Sequence, residues 1–369
     1  MTKNRQSQSI IIPPVWVMNI INGVQRFFHK LSKRMVHPSM WMMSHIENFW
    51  FAKGLVAAME LNIAEHINRG KNTLDQLAQI TQTNPYALFR LMRMLCAQEI
   101  FRLSKNGIYS LTPYSKVMLE GNGSVKYLLI SHLGKLHFEL FSVIDYTLKT
   151  GISASQKLFN KDIFSHVQDS PAQHEVFIKG MGNTSDLFAP VLLSSYNFSS
   201  YNHIIDIGGG HGSLLCHILT RYKGLKATVF DCKHVVERAA ENIEFYGLKE
   251  RIDIMNGDFF QEVPGGENLY ILKNILHDWE DEKSIIILKN IHKVMPAGSK
   301  LLIIETIIIT DNKYSYGKML DILMLLGTQD GRERTLDEFR VIIKKSGFVI
   351  NKVVPTVSPF SLIECVKQK

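Results

Sequence analysis

The chain opens with a hydrophobic stripe of helical period. Val17, Ile20, Val24, Phe27, Phe28, Leu31 and Met35 recur at three- and four-residue steps, with Arg26, Lys30, Lys33 and His37 opposite. This spacing predicts an amphipathic helix over 17–37. Its apolar face packs on the body of the protein or on a second subunit; the alternative is a basic helix lying on an anionic membrane. Residues 44–120 predict a compact helical unit. Phe51–Ala64 reads as one helix, and Thr73 is the N-cap of the next, with Gln76 at the capping-box position. Asn84-Pro85 opens a third helix that runs to Leu95. Two short strands follow around a turn, Ile100–Leu103 and Gly107–Thr112. Helices followed by a β-wing form the winged-helix pattern. Residues 121–190 read as helical.

From Tyr201 the texture changes. Short apolar runs at His203–Ile207, Thr228–Phe230, Arg251–Met255, Leu269–Leu272 and Lys300–Ile304 alternate with helical stretches. Such alternation predicts an α/β fold with a doubly wound, mostly parallel sheet. Phe348–Val354 and Ser361–Val366 read as a terminal antiparallel hairpin added to it. The expected organisation is an N-terminal arm (1–43), a winged-helix domain (44–120), a helical linker or acceptor-pocket region (121–190) and a catalytic domain (191–369).

Composition narrows the class. With 369 residues the chain suits more than one domain, and 46% apolar with 21% charged residues is ordinary for a globular protein. Cys96, Cys216, Cys232 and Cys365 are scattered and form no CxxC pair, which predicts reduced thiols, a cytoplasmic protein and no metal site. No signal peptide and no membrane-spanning run is visible. The greasiest segment, Leu301–Ile309, carries Glu305 in its middle and reads as a buried strand. The net charge of +8 is uneven. Residues 1–46 hold Lys3, Arg5, Arg26, Lys30, Lys33 and Arg34 and no acid. Membrane contact, if made, belongs to 17–37. The helix before the wing offers only Arg90 and Arg93, too few for nucleic-acid recognition, so dimerisation or a substrate lid fits it better.

The first chemical signal is Asp206-Ile-Gly208-Gly-Gly210-His-Gly212 between an apolar strand and the helix Ser213–Thr220. Such glycines bring the backbone close to a ligand and turn it into the helix. Asp231 ends the next strand, where a carboxylate accepts hydrogen bonds from ribose hydroxyls. These features suit NAD and S-adenosylmethionine alike. Gly257-Asp258-Phe259 after the third strand chooses between them. A carboxylate there receives an adenine amino group while an aromatic ring packs on the base. Asp206 would repel a phosphate but suits a sulfonium.

The fourth strand ends in Lys273-Asn274-Ile275-Leu276-His277-Asp278-Trp279, at the edge that faces the ligand crevice. A histidine there can act as general base. Glu305, read at the end of the fifth strand, and Glu333, in Gly331-Arg-Glu-Arg-Thr335, are candidates to orient and charge-stabilise it. The competing reading of Glu333 is a surface ion pair with Arg332 or Arg334.

These motifs, in this order, resemble the small-molecule O-methyltransferases of the caffeic-acid and acetylserotonin type, including bacterial members. Matching pieces include Thr73-Leu-Asp-Gln-Leu-Ala, Leu111-Thr-Pro, Phe177-x-x-x-Met181, the glycine turn, Gly257-Asp-Phe-Phe, Leu272–Trp279 and Gly331–Thr335, over roughly residues 45–366. The resemblance implies a class I methyltransferase domain and a winged-helix dimerisation domain that interlocks two subunits. It makes His277 the base, flanked by Glu305 and Glu333. Gly208, Asp231, Asp258, Phe259 and Lys273 match cofactor-contacting positions, beside Asp206 and Gly210 from the turn itself. Met181 and Asp278 match acceptor-site positions. S-adenosyl-L-methionine is then the cofactor, S-adenosyl-L-homocysteine its product, and a small molecule the acceptor, in a homodimer. Asn274 departs from the Trp common in this family, a single glycine precedes Arg332 where a pair is common, and the basic N-terminal helix is long. Carbon or nitrogen methylation on the same fold is the alternative, against which the retained His277, Glu305 and Glu333 argue. A cofactor-sensing DNA-binding regulator is a second, against which the thin basic helix argues.

Overall fold

The computed structural model describes residues 15–121 and 123–368; residues 1–14 of the expected arm, with Lys3 and Arg5, lie outside them. The chain forms two compact units. One gathers Phe188–Leu325 and Asp330–Lys369 with the first helix as far as His29; the other gathers Lys30–Leu187 and Leu326–Gln329.

The amphipathic helix exists as α1 (Val15–Met35). Its stripe is not buried by its own chain, contrary to one of the expected packings: Phe27 is 63% and Met35 76% exposed, with Ile20, Val24, Phe28 and Leu31 also exposed. α1 ends before Pro38, which opens α2 (Pro38–Glu60) and keeps His37 out of helical backbone at φ −58°, ψ 139°.

The expected single helix Phe51–Ala64 is broken. After α2, Asn62 adopts left-handed backbone, and α3 (Ile63–Asn68) begins anew. The break is held from far along the chain. Lys126, only 2% exposed, donates to Asn62 Oδ1 (2.5 Å) and Glu65 Oε1 (2.6 Å). A buried ammonium needs such partners. α4 (Leu74–Thr81) carries the reciprocal Thr73–Gln76 capping box, and α5 (Pro85–Ala97) is capped by Asn84, which accepts from Ala87 N. β1 (Phe101–Leu103) and β2 (Tyr109–Leu111) form the antiparallel wing. Met59, Ile63, Leu77, Met92, Leu95 and Phe101 are its core. Helices fill residues 126–187 of this unit.

The larger unit is built on an eight-stranded sheet. Its strands are β3 (His203–Ile207), β4 (Lys226–Asp231), β5 (Ile252–Asn256), β6 (Leu269–Lys273), β7 (Lys300–Ile308), β8 (Arg334–Thr335), β9 (Phe348–Pro355) and β10 (Phe360–Lys367). The order is β5-β4-β3-β6-β7-β10-β9, with the short β8 paired to β7. β3 to β7 run parallel, and β10 is antiparallel to both β7 and β9. Leu215, Ile218 and Val229 belong to one apolar cluster, Ile205, Tyr270, Ile287 and Phe339 to another. Burial on both faces explains why these strands read as continuous apolar runs. The strand order reverses at β3, between β4 and β6, and the C-terminal edge there is where such sheets bind ligands.

β7 follows the buried strand read over Leu301–Ile309 and not the shorter Lys300–Ile304, which corrects the placement of Glu305 at a strand end. It lies inside β7, one residue past the last β6–β7 pair, Lys273↔Ile304, and opposite Ser361 of β10. Pairing with β10 carries β7 beyond the end of β6. Glu305 therefore stands beside the chain that leaves β6.

Candidate active site

The glycine turn follows β3. Gly208 and Gly210 both adopt left-handed backbone, φ +71° and +60°. At Gly208 a Cβ would stand 2.3 Å from Ile275 Cδ1, the far end of a side chain that would have to shift, so the left-handed dihedral is the stronger reason for glycine. Asp231 ties the turn down: its Oδ2 accepts from Gly210 N (2.8 Å) and its Oδ1 from Cys232 N (2.7 Å). A carboxylate has about four acceptor sites, so capacity for a ligand remains. Asp206 is 3% exposed, and its Oδ1 has no hydrogen-bond partner among the described residues. Burial pushes its acid up to about 7, Lys273 pulling it down and Asp231 pushing it up. An orphaned buried acceptor asks for a donor, which an amino cation in the turn would supply, while a sulfonium would add charge attraction only. Asp258 is exposed and accepts from Phe260 N (2.8 Å); the Phe259 ring sits edge-on to Phe260 and Trp279. Lys273 Nζ lies over the Phe360 ring at 5.6 Å. The residues present fit a nucleoside with a cationic tail.

Beyond β6, Asn274 turns the chain in left-handed backbone (φ +55°), a conformation asparagine tolerates better than Trp. A single 3-10 turn, Leu276–Asp278, then carries His277. Glu305 caps this turn: its Oε1 accepts from Ile275 N (3.0 Å) and Leu276 N (2.9 Å). Its Oε2, without a hydrogen-bond partner among the described residues, is 3.8 Å from His277 Nδ1. Glu333 Oε1 lies 2.7 Å from the same Nδ1, and Thr306 Oγ1 donates to Glu333 Oε2. Glu333 is itself placed by its backbone N–H, which donates to Asp321 Oδ1 at 2.9 Å. His277 Nε2 lies 3.4 Å from Asp278 Oδ1.

Burial works against the charged imidazole of His277, but Asp278, Glu305 and Glu333 together overcome it and push the group up to about 10. Burial holds the Glu305 acid above its usual range, His277 pulling down and Glu333 pushing up. The facing atoms of His277, Glu305 and Glu333 all lie within 4.8 Å of one another, near enough to share a proton or hold a small cation.

The surface ion pair considered for Glu333 does not form. Glu333 instead turns to His277 and Thr306. Arg332 pairs with Asp281 and Glu338, and Arg334 with Asp281. Sequence reasoning missed Thr306, Asp321, Asp281 and Arg334. Met181 is half-buried on the helix Pro171–Ser195, in the smaller unit.

The fold and this edge define a class I methyltransferase. Family models match an O-methyltransferase dimerisation domain over residues 43–121 and an O-methyltransferase domain over residues 143–349, more than half of the chain. The chain belongs to the O-methyltransferase family and is an S-adenosylmethionine-dependent enzyme. It is 32% identical to a phenazine O-methyltransferase of Lysobacter antibioticus over 88% of this chain and 94% of that one. It is 31% identical to the O-demethylpuromycin-O-methyltransferase of Streptomyces alboniger, over 83% of each chain. Among solved structures, LaPhzM superposes with a TM-score of 0.86 at 31% identity, covering 90% of this chain and all of that one. Human N-acetylserotonin methyltransferase with S-adenosylmethionine bound shares the fold, with a TM-score of 0.84 at 22% identity, covering 90% of this chain and 99% of that one.

Proposed function

We propose that the protein methylates a hydroxyl of an aromatic or polyketide-like small molecule, with His277 Nε2 as general base. One observation carries this reading. His277 Nδ1 is engaged by Glu333 at 2.7 Å in a buried site at the ligand edge of the sheet, which leaves Nε2 as the proton-accepting atom. In the role assigned to it, Glu333 fixes the ring and stabilises the imidazolium, and Glu305 holds the turn that carries it. Asp206, Gly208, Gly210, Asp231, Asp258, Phe259 and Lys273 are assigned to the cofactor. S-adenosylmethionine bound there supplies an electrophilic methyl group on a positively charged sulfur and leaves as S-adenosylhomocysteine. Nε2 removes the acceptor's hydroxyl proton as the oxygen gains the methyl group, and no step assigned to the protein calls for a metal. Asp278 and Met181 are assigned to the acceptor. The dimerisation domain supports a homodimer, and the names of the relatives, a phenazine and a puromycin O-methyltransferase among them, support a ring-bearing acceptor.

Labelled S-adenosylmethionine incubated with a panel of phenols, catechols and quinols tests the reading. The expected product carries a new O–CH3 group by mass spectrometry and NMR. Label found only on carbon or nitrogen would replace it with the alternative chemistry.

A further inference from the structure

One residue beside the catalytic group is buried at an unusual cost. Arg334 is fully buried, 0% exposed, and it is the bulkiest side chain so enclosed among the described residues. A guanidinium is tolerated there only with its charge paired and its donors used. Asp281 Oδ1 takes Nε at 3.0 Å. Nη1 donates to Leu276 O (2.5 Å), and Nη2 to Trp279 O (2.6 Å) and Ser284 Oγ (3.3 Å). Those two carbonyls flank His277. A third tie comes from Arg332, whose backbone N–H donates to His277 O at 2.8 Å.

The turn is thus gripped through both kinds of main-chain group. Glu305 takes the N–H groups of Ile275 and Leu276, while Arg334 and the Arg332 backbone take the carbonyls of Leu276, Trp279 and His277. A three-residue 3-10 turn has little hydrogen bonding of its own, so outside groups decide where it sits. The same short segment, 332–334, also carries Glu333 to the imidazole.

We infer that Arg334 is a positioning residue for the reaction: its guanidinium, locked by Asp281, holds the 276–279 main chain so that His277 meets Glu333 and aims Nε2 at the acceptor. The inference rests on His277 being the base. Only the planar fork of arginine reaches two carbonyls and a carboxylate at once; the single ammonium of lysine keeps the charge but not that span.

The test is Arg334→Lys in the full chain. It is read by melting temperature, by kcat and KM, and by the ring-nitrogen NMR signals of His277, assigned by their loss in His277→Gln. The groups facing that ring are Asp278, Glu305 and Glu333. The expected result is a folded protein with cofactor KM within about twofold, kcat lower by roughly 10- to 100-fold, and shifted His277 signals. Arg334→Ala should recover part of its kcat in added guanidinium. A variant with lower melting temperature but parental kcat and parental His277 signals would make Arg334 merely structural and overturn the inference. Shifted His277 signals with unchanged kcat would instead sink the base reading and leave the clamp standing. If Arg334→Lys does not fold, Asp281→Asn, which keeps the guanidinium but weakens its anchor, carries the same readouts with smaller changes in the same direction.

Discussion

At the scale of the residue, the account turns on one imidazole among three carboxylates. Asp278, Glu305 and Glu333 outweigh the burial of His277 and push it up to about 10. The ligand-free protein therefore holds this ring charged at neutral pH, whereas a base must be neutral. A sulfonium in the same crevice opposes that charge and lowers the value. The prediction is that kcat/KM for the cofactor, which reports the free enzyme, rises to a more alkaline plateau than kcat does. Glu333→Gln removes the carboxylate that touches Nδ1. It should move both rises toward acid and cost about 10²- to 10⁴-fold in kcat; an unmoved profile would separate Glu333 from the base. The same linkage has a sign for stability. The folded value lies above the ordinary 6.5, so the contribution of His277 is full below 6.5 and is lost as pH rises through about 10. His137 is the mirror case. Burial, aided by His132 stacked on it at 5.0 Å, lowers it to about 4. Its contribution is full above 6.5 and is lost as pH falls toward 4. Melting temperatures across pH should show both losses, and His137→Gln should flatten the acid one alone. Glu305 was readable because a carboxylate in an apolar run needs a reason and His277 because it follows a strand end, whereas Glu333, between two arginines, was singled out by the family resemblance. Their partners Thr306, Asp321 and Arg334 were not, since each bonds to a group distant from it in sequence: Thr306 and Asp321 to Glu333, and Arg334 to the carbonyls of Leu276 and Trp279.

At the scale of the element, the glycine turn and the turn carrying His277 are one packed object. A Cβ on Gly208 would push against the end of the Ile275 side chain, two residues before His277, which would have to shift. Gly208→Ala adds this clash to a left-handed dihedral that alone costs about 1–2 kcal/mol. We expect a melting temperature lower by several degrees and weaker cofactor binding by calorimetry; parental affinity would show that the turn can relax. Elements governed by neighbours in sequence were legible. The Thr73–Gln76 capping box, the Asn84 cap and the strands from β3 to β7 follow from local chemistry and period. Elements governed from afar were not. The break at Asn62 is held by Lys126. β8 is two residues long and carries no period at all.

At the scale of the whole molecule, the order of motifs was the informative signal: the glycine turn and Asp231 suit NAD and S-adenosylmethionine alike, and only Gly257-Asp258-Phe259 after the third strand chose between them. The packing of α1 was not legible. A helical stripe shows that a face wants cover and not what covers it, and here its own chain does not. On the homodimer reading, light scattering gives twice the 42.1 kDa chain mass, and deleting residues 1–37 weakens the dimer without changing recovery on anionic liposomes. Liposome binding lost with that segment would favour a lipid surface instead. No helix among the described residues is long and apolar enough to cross a membrane. The account as a whole stands on methyl transfer driven by His277, and the most direct measurement compares the parent with His277→Ala. S-adenosylmethionine affinity is read by calorimetry, and labelled methyl transfer is followed on the best acceptor found. The account predicts affinity within a few-fold and transfer slower by about 10²- to 10⁴-fold. A His277→Ala enzyme that methylates the same hydroxyl at the parental rate would contradict it.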